Sequence, residues 1–116
     1  MGRTKIDGIA ILLYGQNANV EIRRCYDDGV LTDRVMLTLN YDHHSTALAG
    51  HVVSDLIADA LNRHLPEGSW TREIVVGEYI FFVKTPMKNL GDEREPVEWM
   101  LGFLSKKVPM VKVELR

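Results

Sequence analysis

The chain has a single cysteine, Cys25, so no disulfide can form within it, which suits a reducing compartment. There is no low-complexity tract, internal repeat or linker; the longest irregular stretch, Pro86 to Arg94, is too short to separate domains. Neither sign of charge prevails. Fourteen basic against sixteen acidic side chains leave a net charge of -2, so no global field draws the protein to nucleic acid or to an anionic membrane. No long hydrophobic run occurs either. The stretch Ile9 to Tyr14 is too short to span a bilayer and has no small-residue cleavage site after it, so neither a membrane span nor a signal peptide is expected. What remains is ordinary: 46% hydrophobic and 26% charged residues over 116 positions. Such a chain buries roughly two-thirds of its unfolded surface and needs no staples. The expectation is one small soluble, cytoplasmic domain over residues 1–116.

Hydrophobic periodicity orders the elements. Ile9 to Tyr14 reads as a strand buried on both faces, punctuated by Gly15 to Asn19. Val20 to Arg23 alternates, Asp28-Gly29 signals a tight turn, and Val35, Leu37, Leu39 and Tyr41 then share one strand face. Centring the turn on Asp28-Gly29 sets Ile22 against Val35 and Val20 against Leu37. From Ser45 to Leu65 apolar residues recur at three- and four-residue spacing, which predicts an amphipathic helix capped by Asp42 or Ser45 and ended by Pro66 and Gly68. Two strands follow, Arg72 to Val76 and Tyr79 to Thr85, with Gly77 expected first in the turn between them. A second helix starts near Pro96, and Val111, Val113 and Leu115 alternate in a last strand. The order β-β-β-α-β-β-α-β predicts an α+β fold: two layers, a mostly antiparallel sheet with both helices on one face.

Asp42-His43-His44 falls where the third strand meets the first helix, a junction that offers free N–H groups and rigidly held side chains. The triplet resembles the signature of the DHH phosphoesterases, and that resemblance implies divalent-metal-dependent hydrolysis at these residues. It covers three residues and the following helix. The expected first strand, Ile9 to Tyr14, carries none of the aspartates that family uses. A related metal set is His44, His51 and Asp55, since all three can line one helix face. The plainer reading makes Asp42 a cap and leaves His51, Asp55, Asp59 and Asn62 as the solvated face, with His64 nearer the apolar side.

Cys25 lacks a nearby base and reads as a small packed side chain rather than a nucleophile. No hydrolase triad, phosphate loop or dinucleotide fingerprint occurs, and no cofactor is expected. In the expected register Arg23 and Arg34 lie opposite each other, which costs energy unless an anion or acidic partner is present, while Arg24 faces and pairs with Asp33. Aromatic residues do not interleave with these cations, so a base-stacking platform, and with it nucleic acid, is not indicated.

The positive lead is apolar surplus. Tyr79 to Val83 is apolar on both alternating faces, whereas a two-layer fold covers only one. Trp99 and Phe103 flank the apolar stripe of the second helix. Such excess points to a partner, another copy or a different protein. The function expected is therefore a non-enzymatic binding module: an adaptor, or an inhibitor of a larger assembly of the kind phage and bacterial accessory proteins provide. Its contact residues would be Tyr79, Phe81, Phe82, Trp99 and Phe103, with Arg23 and Arg34 at the rim. The alternatives are the metal-dependent hydrolase using Asp42, His43, His44, His51 and Asp55, and a small-ligand or nucleotide pocket walled by Trp70 and Tyr14.

Overall fold

The computed structural model describes residues 6–13, 16–40, 47–87, 95–108 and 112–115. Its elements run β1 (Ile6–Leu13), β2 (Gln16–Asp27), β3 (Val30–Asn40), α1 (Ala47–His64), β4 (Trp70–Val75), β5 (Glu78–Lys84), α2 (Glu95–Lys107) and β6 (Lys112–Leu115). The six strands form one sheet in the order β4-β5-β3-β2-β1-β6, and every pairing is antiparallel. This is the expected α+β architecture. α2 has to carry the chain from β5 to the far side of β1, and along that path it touches β3, β2 and β6, while α1 lies against β2 and β3.

Period-2 alternation fixes which strand face is covered. Val20 and Ile22 on β2, Val35, Leu37 and Leu39 on β3, and Tyr79, Phe81 and Val83 on β5 share one face and are buried. They meet Val53, Ile57, Ala60 and Leu61 of α1 and Val97, Met100, Phe103 and Leu104 of α2 in a single core cluster. Around that core the helices end where the sequence stops them. α1 closes at His64 before Pro66, whose carbonyl accepts from the backbone N–H and the Oγ of Ser69, at 3.1 and 2.6 Å. Pro96 occupies the first turn of α2, where its missing N–H costs nothing.

Three local expectations are corrected. Residues 16–19, expected to punctuate the chain between two strands, are the start of β2, and Gln16 already pairs with Leu13. The β4-β5 turn is Val76-Gly77 rather than Gly77-Glu78, because Gly77 with φ 82° fits the second central position, where Val76 could not follow. The third correction is the largest. The first hairpin does turn on Asp28 (φ 50°) and Gly29 (φ 77°), but the register then shifts between Arg24 and Tyr26. Cys25 on β2 spans Thr32, Asp33 and Arg34 on β3, so Ile22 faces Leu37 and Val20 faces Leu39. Side-chain and end-of-strand bonds absorb the extra residues. Thr32 Oγ1 donates to the Cys25 carbonyl (2.7 Å) and accepts from the Arg34 N–H (3.2 Å), while the Asp33 carbonyl accepts from Thr85 N (2.8 Å) and Thr85 Oγ1 (2.7 Å). A shift of two preserves the apolar face but moves every cation. Arg24 is buried on the core face opposite Val35 rather than facing Asp33, and Arg23 faces Met36 rather than Arg34.

Candidate interaction surface

Both helices cover the same side of the sheet, so alternation leaves a second face turned away from the core. Across it run two cross-strand rows: Arg23, Met36, Phe82 and Thr71, and Glu21, Thr38, Ile80 and Glu73. The apolar middle of these rows is Met36, Ile80 and Phe82, and Phe82 is 37% exposed, an uncommon state for a phenylalanine on an internal strand. Arg23 borders it, with Nη2 at 3.1 Å from Glu21 Oε2, while its buried Nε has no hydrogen-bond partner among the described residues.

The next row is the electrostatic feature of this face. Arg34 on β3 stands directly opposite Lys84 on β5. Both are exposed, and neither joins an ion pair among the described residues. Two like charges in direct cross-strand register repel by a few tenths to about 1 kcal/mol. A shallow cleft of about 330 Å³ opens beside them, lined among others by Arg34, Ser69, Thr71, Phe82 and Lys84. The arrangement can therefore bind an anionic group against an aromatic ring, with two hydroxyls within the same recess.

The expected contact residues are distributed over three places. Phe82, Arg23 and Arg34 share the open face. Tyr79 and Phe81 point into the core, at 8% and 0% exposure, so they hold the sheet to the helices rather than meet solvent. Trp99 and Phe103 lie on α2, stacked with ring centroids 5.3 Å apart, and Phe103 is itself buried. These two rings line a separate cleft of about 610 Å³ with His64, Pro86, Lys106 and Lys107. His64 is exposed, although its ring meets Phe103 edge-on at 6.2 Å. Met36, Ile80 and Lys84 were missed as surface members. Alternation along residues 78–84 signals Ile80 and Lys84, but their neighbours on β3 follow only from the strand order.

The polar side chains considered for metal are otherwise engaged or lie outside the described residues. Asp42, His43 and His44 fall in the latter group, as does Tyr14. His51 and Asp55 do occupy one exposed face of α1. There His51 Nδ1 is hydrogen-bonded to the Tyr79 hydroxyl, and Asp55 Oδ1 accepts from Arg72 Nη1 at 3.1 Å. Among the described residues no group of three or more His, Cys, Asp or Glu side chains could hold a metal ion. Cys25 sits half-buried at the bulge. Burial pushes its thiol pKa up, and the nearby Arg34 guanidinium opposes that shift more weakly. A thiol so held is a poor nucleophile at neutral pH. No described helix is long and apolar enough to cross a membrane.

No protein-family model, curated protein or solved structure matches this chain.

Proposed function

We propose that the chain is a non-enzymatic binding module, an adaptor or an inhibitor, whose open sheet face docks an apolar, acid-flanked segment of a protein partner. The observation that carries this reading is the Arg34–Lys84 pair beside the exposed Phe82 ring. Acidic side chains on a partner would turn that repulsion into attraction, which chiefly sets specificity and on-rate. Completing the burial of Phe82 against a partner would contribute part of the roughly 1.5–3 kcal/mol that a fully buried phenylalanine yields. Arg23, with one guanidinium donor unused among the described residues, would lie at the rim.

The test is affinity capture with four tagged forms: the wild type, Phe82→Thr, the double variant Arg34→Glu with Lys84→Glu, and Trp99→Ala. The expected result is a stoichiometric partner retained by Trp99→Ala and lost by the other two variants. Its contact segment, mapped by cross-linking, should carry carboxylates beside an apolar side chain. Capture that ignores the open-face variants and depends on Trp99 overturns the reading.

A second reading, a small-molecule site, is supported by the larger cleft, where the Trp99–Phe103 stack faces Lys106 and Lys107. An aromatic floor with two cations suits a planar anion. Quenching of Trp99 fluorescence by such anions, abolished in Lys106→Glu, is the result that would favour it.

A further inference from the structure

β4 is one edge of the sheet, and the charges that could guard it are Arg72 and Glu73, of which Arg72 is already held by Asp55 and Ser54 of its own chain. The strand Trp-Thr-Arg-Glu-Ile-Val has no proline, glycine or lysine, and its pairing to β5 runs without a bulge. Natural sheets protect long edges with such devices, because an open row of N–H and C=O groups templates another strand. The phase of that row is fixed. Val75 and Glu78 close a two-residue turn and so form a hydrogen-bonded pair, and the bond from Lys84 N to Ser69 O (2.8 Å) has the same parity. The backbone groups of Trp70, Arg72 and Ile74 therefore point outward, and no described residue pairs with them. Ile74 is also 62% exposed on this edge.

We infer that β4 is a homodimer edge, at which a second copy adds its own β4 antiparallel across a two-fold axis normal to the sheet. A second copy fits because the strand complements itself. With Arg72 opposite the partner's Arg72, Trp70 lies against the partner's Ile74 and Thr71 against the partner's Glu73, each twice by symmetry. The outward groups of residues 70, 72 and 74 on both strands then bond one another in full. The Arg72 charges at the axis are each offset by their own Asp55, and each guanidinium also donates to Ser54 Oγ at 3.0 Å. The register one step toward the C-terminus sets Glu73 against Glu73 and Ile74 against a guanidinium, and the one toward the N-terminus leaves Ile74 opposite position 68, outside β4, so both lose the Trp70–Ile74 pairs. The contact is one strand wide, so it belongs with small interfaces, and the dimer dissociates on dilution. It extends each six-stranded sheet to twice that number, and it leaves Arg34, Phe82 and Lys84 untouched.

Sedimentation equilibrium tests this directly. The wild type should weigh twice 13.2 kDa at high concentration and fall toward 13.2 kDa on dilution. Ile74→Lys should stay monomeric over that range, with a melting curve that matches the wild type's at concentrations where the wild type is also monomeric. Val76→Lys, in the turn and outside the ladder, should behave as the wild type. The register is read by disulfide formation in a Cys25→Ala background. Thr71→Cys mixed with Glu73→Cys should cross-link, whereas either variant alone should not. A wild type that is monomeric throughout, a dimer that survives Ile74→Lys, or cross-linking by either cysteine variant alone overturns the inference. Ile74 and Val76 lie outside the recess beside Arg34 and Lys84, so partner capture by the Ile74→Lys variant distinguishes failure of this inference from failure of the open-face reading.

Discussion

His51 on α1 meets Tyr79 on β5 through a hydrogen bond from ring nitrogen to phenol, the two rings edge to face with centroids 5.4 Å apart and planes at 83°. The same tyrosine carries the Arg72 guanidinium over its face, 5.6 Å from the centroid, and Arg72 in turn bonds Ser54 and Asp55. A polar clasp thus ties the N-terminal half of α1 to β4 and β5 at the margin of the apolar core. The two α1 residues with metal-ligand spacing, His51 and Asp55, are both members of it.

Because one bond joins them, His51 and Tyr79 should be coupled energetically. Tyr79→Phe removes the hydroxyl while keeping the ring in place, and should cost about 1 kcal/mol. His51→Ala should cost about the same. The double variant should fall short of the sum by about 1 kcal/mol, since either change removes the whole bond. Urea unfolding of the four proteins measures this, and strict additivity would mean the contact is not formed in solution.

Arg72 should matter more than its ion-pair partner. The Asp55 side chain is 77% exposed, so Asp55→Ala should cost about 0–1 kcal/mol and less still in high salt. Arg72→Ala also loses the bond to buried Ser54 and the stacking over Tyr79 and Phe81. Those contacts add roughly 1–2 kcal/mol that salt screens little. Thermal melts at low and high salt separate the two contributions, and equal losses for the two variants would contradict the geometry.

The clasp also marks where the sequence stops being legible. Alternation along β2, β3 and β5 and the spacing in α1 predict the layers, the helix boundaries and the Asp28-Gly29 turn, because each depends on neighbours in the chain. The bulge at Cys25 does not follow from them. It is stabilised by Thr32 nearby and by Thr85, 52 residues from the Asp33 carbonyl it bonds, a contact that only tertiary pairing creates. The same limit applies to the candidate surface on the open face. A like-charge pair with Arg34 is foreseeable in kind, but its other member is Lys84 because β5 lies beside β3. Phe82 is one of several aromatic candidates in the sequence, and the side on which the helices pack is what separates its face from that of Phe81.

Cys25 should react slowly. Its thiol pKa is raised, first by burial, with Arg34 pulling the other way. Alkylation should therefore reach half its limiting rate at a higher pH than a free thiol, and Arg34→Gln should move that midpoint further up. The sign for stability follows. A thiol whose folded-state pKa lies above the unfolded value binds its proton more tightly when folded, so its contribution is complete below the unfolded pKa and is lost as pH rises through the folded one. Denaturant midpoints above pH 9 should fall faster in the wild type than in Cys25→Ala. Parallel curves would mean that the thiol is solvated.

Phe81 and Phe82 are adjacent in sequence and opposite in role, which makes them a direct probe of the two faces. Phe81 is fully buried between sheet and helices, so Phe81→Ala opens a cavity and should cost about 3–5 kcal/mol. Phe82 lies on the uncovered side, where truncation leaves no enclosed void and water fills the space. Phe82→Thr keeps a strand-forming side chain and should cost about 1–2 kcal/mol, the transfer of a partly buried ring alone. Its effect on partner capture should nonetheless exceed that of any core substitution that leaves the protein folded. If the stability losses were equal, Phe82 would have to be covered in solution, either by this chain or by a second copy over the open face. The monomer–dimer equilibrium of Phe82→Thr tells these apart, because only cover by a second copy ties the extra loss to a change in mass.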